Sequence, residues 1–310
     1  MAATARARSV VVAGATGFIG KAVVRRLEAG RWSVVIVSRD PDRARRLFPN
    51  AIACIDYDGH ALEHAVVEHG HVIRLAGENP LSRRWTQSFK ESMWTSRVNT
   101  AVRIARALAQ SRADRRVLIS AGGINIHPDS GEDIVTEESP FGDGWVARML
   151  AAKEAALETA AREGARIVTL RIGIVLGAEG GPLEFIDRPF RMRVGGRIGS
   201  GRQFVPWLHL DDMAEMFVAA LENDSWRGPF IAAAPNPVRA GDLAVGIARR
   251  LGRASWCHVP TWIARFAMGE VATLVVSSYR ASPTKAQMVG FRFQYPDVDR
   301  ALDTIYAARA

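Results

Sequence analysis

The sequence predicts an α/β fold, in which a doubly wound parallel sheet carries a small, mainly helical C-terminal cap. Short runs of β-branched residues alternate with longer amphipathic stretches along the chain, which is typical of parallel strands joined by helices. A glycine-rich turn at residues 14–20 lies directly between the first strand and the first helix. Beyond Gly177 the chain becomes rich in Gly, Pro and Arg, and helices follow, which predicts the cap.

Six strands are predicted, at residues 9–13, 33–37, 51–55, 71–76, 116–120 and 166–175. Helices are expected near residues 90–112, 145–163 and 211–222. We predict two domains. A nucleotide-binding domain covers residues 1–235, with loops at 178–206 on its substrate side, and the cap covers residues 236–310.

The composition is that of a soluble globular protein, with 48% hydrophobic and 24% charged residues in a chain of 310. Cys54 and Cys257 are far apart and lack metal-ligand spacing, so we expect reduced thiols, a cytoplasmic location and no metal site. The net charge of +9 comes from scattered arginines without interleaved aromatic residues, which argues against nucleic-acid binding. We expect a monomer or homodimer that binds a small molecule, with anionic ligands among the candidates, and no membrane.

The spacing of Gly14, Gly17 and Gly20 is typical of a dinucleotide-binding turn in a Rossmann sheet. Gly14 permits the tight turn, Gly17 lets main-chain N–H groups approach a pyrophosphate, and Gly20 allows close helix–strand packing. The pyrophosphate then lies at a helix N-terminus, where unpaired N–H groups favour an anion. The predicted cofactor-binding residues are Gly14, Thr16, Gly17, Phe18, Ile19, Gly20, Ser38, Arg39, Asp56, Leu75, Ala76, Gly77, Glu78 and Asn99.

The end of the second strand indicates which dinucleotide binds. An acidic residue there would bind the ribose 2′-hydroxyl of NAD, whereas an arginine suits the 2′-phosphate of NADP. Ser38 and Arg39 stand at this position, and Asp40 is a competing signal for NAD. We therefore predict NADP(H) as the cofactor. Asp56 is expected either to accept a hydrogen bond from the adenine amine or to form a turn.

Further motifs follow the glycine turn in order along nearly the whole chain. They are Leu75-Ala76-Gly77-Glu78, Arg84-Trp85-Thr86, Ser96-Arg97-Val98-Asn99-Thr100, Leu170-Arg171-Ile172-Gly173-Ile174-Val175-Leu176-Gly177, Gly199-Ser200-Gly201-Arg202-Gln203, Trp207-Leu208-His209-Leu210-Asp211-Asp212, Ala234-Pro235-Asn236-Pro237-Val238 and Gly290-Phe291-Arg292-Phe293. Together they resemble the bacterial epimerase-family proteins, an NAD-dependent epimerase/dehydratase-like and atypical branch of the extended short-chain dehydrogenase/reductases with its own C-terminal domain. Members are labelled nucleoside-diphosphate-sugar epimerases or cell-division inhibitors, so the resemblance implies the fold but no single reaction.

Extended short-chain dehydrogenases use a serine, a tyrosine and a lysine four residues after the tyrosine, and Asn99 matches the asparagine that positions this lysine. The tyrosines of this chain are Tyr57, Tyr279, Tyr295 and Tyr306. None of them lies between the fifth and sixth predicted strands, where the dyad belongs. Lys153 comes one turn too late, and we expect it to be a solvated lysine on a helix. Tyrosine-dependent redox chemistry is therefore not expected.

The predicted catalytic residues are His127, Ser120 and Asn99. His127 lies in the loop after the fifth strand, and an imidazole has a pKa suited to proton exchange. An exposed loop histidine without a catalytic role is the alternative for this residue. Ser120 lies two residues before the serine position of the family.

Arg171 and Arg202 are the candidates for binding a substrate anion, because a guanidinium fork fits phosphate or carboxylate. Buried ion pairs would explain both arginines equally well. His209 is expected to belong to a strand-to-helix turn, with Asp211 or Asp212 capping the helix.

Two functions remain open from the sequence. The first is an NADP-dependent oxidoreductase or epimerase that lacks the Tyr–Lys dyad and uses a nonstandard proton donor. The second is a catalytically silent NADP-binding protein with a regulatory or sensor role.

Overall fold

A computed structural model describes residues 8–309 of the chain. The strands are β1 (Ser9–Ala13), β2 (Ser33–Val37), β3 (Ala53–Ile55), β4 (His71–Arg74), β5 (Val117–Gly123), β6 (Ile134–Val135), β7 (Arg166–Ile172), β8 (Ile174–Leu176), β9 (Gly196–Ile198), β10 (Phe204–Val205), β11 (Trp207–His209), β12 (Gly228–Ala232), β13 (Val238–Arg239), β14 (Cys257–Val259) and β15 (Arg280–Ala281). The α-helices are α1 (Phe18–Ala29), α2 (Pro41–Leu47), α3 (Ala61–His69), α4 (Gln87–Trp94), α5 (Thr100–Gln110), α6 (Trp145–Arg162), α7 (Pro182–Arg191), α8 (Leu210–Glu222), α9 (Ala240–Arg250), α10 (Thr261–Met268), α11 (Thr273–Val276), α12 (Thr284–Met288) and α13 (Val298–Ala307).

Seven parallel strands form the central sheet, in the order β12-β7-β5-β4-β1-β2-β3. The strand order reverses at β1, which lies between β2 and β4, so the sheet is doubly wound as predicted. Both faces are covered, because Val10 and Val12 belong to one apolar core and Val11 to the other. In such a sheet a dinucleotide binds at the reversal point, outside the carboxyl ends of the strands.

The predicted sixth strand is wrong in one respect, because it breaks into β7 and β8 at Gly173. A Cβ atom on Gly173 would overlap the carbonyl oxygen of Pro206. This close approach allows β8 to leave the central sheet and to pair with β11 in a separate two-stranded sheet.

The helix predicted near residues 90–112 consists of α4, a π-helical turn at Thr95–Asn99, and α5. Arg74, at the end of β4, donates from Nη2 to the carbonyl oxygens of Ser96 (3.2 Å) and Arg97 (2.5 Å). These carbonyls lie within the π turn, where the regular helical hydrogen bonding is interrupted. Arg74 supplies them with a donor from outside the helix.

The prediction that Asp211 or Asp212 caps α8 was wrong. His209 is the N-cap residue, and its Nδ1 accepts from the main-chain N–H of Asp211 at 3.1 Å. Its ring stacks on Tyr295 with 3.8 Å between centroids. Asp212 instead turns inward and accepts from the N–H groups of Gln294 and Tyr295.

The C-terminal segment packs on the main core. Phe291, Leu302 and Ile305 belong to the same buried cluster as Val10 and Val12 of β1. The domain boundary at residue 235 stays a prediction. Within residues 8–309, no helix is both long enough and apolar enough to cross a membrane.

Candidate functional site

Two glycines of the turn are packed closely against the protein's own backbone. Gly14 has a φ of +92°, and a Cβ there would lie 2.6 Å from the main-chain nitrogen of Ala76. A Cβ on Gly20 would overlap the carbonyl oxygens of Gly14 and Ala15. Each of these glycines is therefore required by a backbone contact, as the sequence predicted.

The N-terminus of α1 is free of a side-chain cap, because its N-cap residue is Gly17. The first N–H groups of a helix have no intrahelical partner, so those after Gly17 are available to a phosphate. The ring of Phe18 packs against Gly177 and Gly181. The residues present thus fit the pyrophosphate of a dinucleotide.

The two charged residues after β2 have different roles. Asp40 is the N-cap of α2, and its Oδ1 accepts from the N–H of Arg43 at 2.9 Å. The side chain of Arg39 is 84% exposed, with Nη1 3.5 Å from Oε2 of Glu78. Asp40, the residue that would have favoured NAD, therefore serves as a helix cap, while the side chain of Arg39 is available to a ligand. Ser38 is buried, and its hydroxyl donates to the carbonyl of Asp40.

Glu78 follows the end of β4 and lies beside Arg39. Its N–H donates to the hydroxyl of Ser96 at 3.1 Å. Its carboxylate also lies 3.5 Å from Nη2 of Arg83. Two exposed cations thus converge on one carboxylate at the rim of the predicted adenosine site.

The segment after β3 contains a residue that the sequence did not single out. Asp56 accepts from the N–H of Asp58 at 3.1 Å, which is the predicted turn alternative and leaves one carboxylate oxygen available. Tyr57 is packed against the core, and burial raises the pKa of its hydroxyl to about 12, while Arg74, Arg39 and the Gly14 backbone oppose the shift. The sequence could have indicated Tyr57, because it is an aromatic residue that directly follows Asp56.

Ser120 of β5 and Lys153 of α6 both lie close to the carboxyl end of β4 or to the residues of β5 beside it. Ser120 is fully buried and pairs in register with Arg74 of β4. Lys153 donates from Nζ to the carbonyl oxygen of Ala121 at 2.5 Å and is only 1% exposed. The prediction of a solvated lysine was therefore wrong. Burial, assisted by the neighbouring charge of Arg74, lowers the pKa of Lys153 to about 7.

Asn99 is exposed at the end of the π-helical turn. The charged groups that act on Lys153 are instead Arg74, Glu154, Arg97 and Arg171. The family resemblance implied that Asn99 positions a lysine. Here the charged groups around Lys153 take the place that was expected for Asn99.

His127 and Arg171 form a buried network. His127 is 2% exposed; its Nδ1 lies 3.0 Å from the carbonyl oxygen of Pro140, and its Nε2 lies 3.2 Å from Nη1 of Arg171. A neutral ring that donates from Nδ1 and accepts at Nε2 satisfies both contacts. Arg171 also makes a bidentate pair with Glu154, at 3.2 and 2.9 Å. Burial and the Arg171 charge lower the pKa of His127, against the opposing effect of the Pro140 carbonyl.

Arg202 lies elsewhere, on a cavity of 290 Å³. The cavity is bounded by the loop after β5, which supplies Asp129 and Glu132, and by Arg265 of α10. Arg202 is exposed, and its N–H donates to the hydroxyl of Ser200. Arg202, one of the two predicted substrate arginines, therefore lines a cavity. The other, Arg171, forms a buried ion pair with Glu154, which is the alternative that the sequence left open.

Residues 10–230 match the NAD dependent epimerase/dehydratase family. The chain belongs to this family. Residues 259–305 of the epimerase-family chain also match a domain of unknown function, DUF1731. This second match falls within the segment predicted as the cap.

Relatives extend over almost the whole epimerase-family chain. It is 33% identical to the chloroplastic epimerase family protein SDR39U1 homolog of Arabidopsis thaliana, over 96% of this chain and 86% of the relative. It is 32% identical to epimerase family protein YfhF of Bacillus subtilis, over 97% and 99% of the two chains. Its fold is similar to the crystal structure of human epimerase family protein SDR39U1 with NADPH, with a TM-score of 0.84, 29% identity and coverage of 96% and 99%.

Proposed function

We propose that this chain binds NADP(H) at the turn between β1 and α1, with Arg39 on the 2′-phosphate. The observation that carries the proposal is the pairing of an uncapped helix N-terminus with an exposed arginine at the end of β2. The human relative was crystallised with NADPH, which supports it. The contacting residues that we propose are Gly14, Thr16, Gly17, Phe18, Ile19, Gly20, Ser38, Arg39, Asp56, Leu75, Ala76, Gly77, Glu78 and Asn99.

We further propose that any chemistry at this site proceeds without a Tyr–Lys dyad. Four residues before the buried Lys153 stands Met149, which cannot exchange a proton. A bound nicotinamide supplies or accepts a hydride. The cavity beside Arg202 and Arg265 supports a small polar ligand, which is the observation in favour of an oxidoreductase or epimerase.

A silent NADP(H)-binding regulator is the second candidate. It is favoured by His127, because both ring nitrogens of this histidine are engaged by Pro140 and Arg171. A general acid must reach the proton acceptor of its substrate. His127 and the fully buried Ser120 remain candidates for catalysis only if substrate binding rearranges their contacts.

The cofactor proposal is tested by Arg39→Ala. We expect this variant to bind NADPH about ten- to hundredfold more weakly, because it loses a charge-assisted hydrogen bond, and to bind NADH as before. Arg46→Ala is the matched control, since Arg46 is an exposed arginine on α2. Unchanged NADPH affinity in Arg39→Ala would contradict the assignment.

The two candidate functions are separated by turnover. An oxidoreductase should consume NADPH in the presence of carbonyl compounds that fit the cavity, whereas an epimerase should convert a nucleotide sugar into its epimer with no net consumption of the cofactor. Arg202→Ala should weaken either reaction. A silent regulator should bind NADPH tightly and transfer no hydride to any of them. Reduction of a single such compound would exclude the silent function.

A further inference from the structure

Three basic side chains meet between the sheet and the helices that cover β4 and β5. They are Arg74 from β4, Arg97 from the π-helical turn and Lys153 from α6, and we call them the cation cluster. Arg74 and Lys153 are each 1% exposed, and Arg97 is half-buried. The charges of Arg74 and Arg97 both lower the pKa of Lys153, as charges close to it must.

The cation cluster is bound by main-chain carbonyls rather than by carboxylates. Arg74 donates to the carbonyls of Ser96 and Arg97, Lys153 donates to that of Ala121, and Arg97 donates to that of Glu78 at 2.6 Å. A carbonyl supplies a dipole but no negative charge. Within residues 8–309, Nε of Arg74 and Nη1 of Arg97 are buried donors that have no hydrogen-bond partner.

The nearby carboxylates are engaged by other cations. Glu154 makes its bidentate pair with Arg171, and the carboxylate of Glu78 faces Arg39 and Arg83. The positive potential of the cation cluster is therefore only partly compensated, in a region from which water is largely excluded.

In the proposed cofactor site, the nicotinamide half would lie over the cation cluster. Arg39 places the adenosine half on the β2 side of β1, so the other half extends over the ends of β4 and β5. The side chain of Arg97 lies directly behind the segment after β4, since a Cβ on Gly77 would be 3.1 Å from its Cζ atom. Arg74 is the last residue of β4, and Lys153 donates to the carbonyl of Ala121 on the neighbouring strand β5.

We propose that the cation cluster makes this protein select reduced NADPH over oxidised NADP⁺. The oxidised nicotinamide ring carries a positive charge and the dihydronicotinamide ring is neutral, so a positive potential disfavours only the oxidised form. The phosphates are the same in both forms, and their attraction to the cluster cancels in the comparison. The proposal rests on the proposed NADP(H) site.

The charge of Lys153 makes the selectivity depend on pH. The groups that face this lysine are Arg74, Arg97, Glu154 and Arg171. Because burial lowers the pKa of Lys153 to about 7, the cluster loses one positive charge as the pH rises through neutrality. The preference for NADPH should then fall, while the two arginines retain part of it.

The test compares the dissociation constants of NADP⁺ and NADPH by calorimetry at about pH 6 and about pH 8.5, on either side of neutrality. For the natural chain we expect NADPH to bind about tenfold more tightly or better at the lower pH, and the ratio to fall at the higher pH. Lys153→Met should bring the low-pH ratio down to the high-pH value. The 2′-phosphate titrates in both ligands alike, so its protonation does not alter the ratio.

Lys285→Met is the matched control. Like Lys153, Lys285 donates from Nζ to main-chain carbonyls, here those of Arg227 and Pro229. These carbonyls lie at the amino end of edge strand β12, whereas the proposed cofactor site lies at the carboxyl ends of the strands. We expect this variant to keep the natural ratio at both pH values. If Lys153→Met does not fold, the pH series on the natural chain still decides the question.

Equal binding of the two forms, or a ratio unchanged by both pH and Lys153→Met, would overturn the inference and leave the NADP(H) site standing. An equal loss of selectivity in Lys285→Met would also overturn it. Absence of binding by either form would instead remove the proposed function on which the inference rests.

Discussion

Single residues show which parts of the site follow from local sequence. The positive φ of Gly14 and the close backbone contacts of Gly20 could be predicted, because both depend on neighbours within one strand–turn–helix unit. The role of Arg39 stays a prediction. The environment of His127 could not be predicted, because this residue lies in a loop and its partner Arg171 lies on β7, 44 residues away. Lys153 was expected in solvent for the same reason: only the folded sheet brings its amine to Ala121.

Burial of Lys153 should cost stability at neutral pH. Its pKa of about 7 in the folded protein lies below that of an unfolded lysine, about 10.4. At pH values between these two pKa values, the unfolded chain binds more protons than the folded protein does. The free energy of unfolding should therefore rise with pH in this range. Lys153→Met should flatten this rise and stabilise the protein by about 1–4 kcal/mol at neutral pH. Urea unfolding across the pH range measures both effects, and a Met variant less stable than the natural chain would contradict them.

At the scale of elements, periodicity predicted the strands and helices but not where they are interrupted. The break between β7 and β8 depends on Pro206 of another segment approaching Gly173. The π-helical turn has its carbonyls bound by Arg74, a residue of β4. Each irregularity results from a contact that is distant in sequence, and a local pattern does not contain it.

The end of α8 depends on one buried arginine at the start of β7. Arg166 donates to the carbonyls of Ala220, Leu221 and Trp226 at 2.6–3.0 Å. Arg166→Met leaves these acceptors without their donor and should lower the free energy of unfolding by about 2–4 kcal/mol. Chemical denaturation measures the loss, with the exposed Arg162→Met as control. Equal stability of the two variants would show that these hydrogen bonds contribute little.

At the scale of the molecule, the basic charge has a structural explanation. Several arginines bind carbonyls or carboxylates of this chain, as Arg103 does with Glu63 and Arg250 with Asp299 and Asp303. Arginines engaged in this way serve the fold, so the net charge alone does not point to a partner. The sequence also predicted the fold class and the family, because both depend on motif order along the whole chain.

The C-terminal segment should unfold together with the sheet. Asp212 binds the main chain of Gln294 and Tyr295, and Phe291 and Ile305 lie in the core of β1. We expect one cooperative transition in urea, coincident by circular dichroism and tryptophan fluorescence. Two separate transitions would indicate a cap that folds independently beyond residue 235.

The central claim is that the turn between β1 and α1 holds a dinucleotide by its pyrophosphate and 2′-phosphate. Calorimetric titration of the purified chain with NADPH and with NADH tests it most directly. We predict saturable binding of one NADPH per chain, about tenfold or more tighter than NADH. The absence of binding heat with both dinucleotides at two temperatures, or equal affinity for the two, would contradict it.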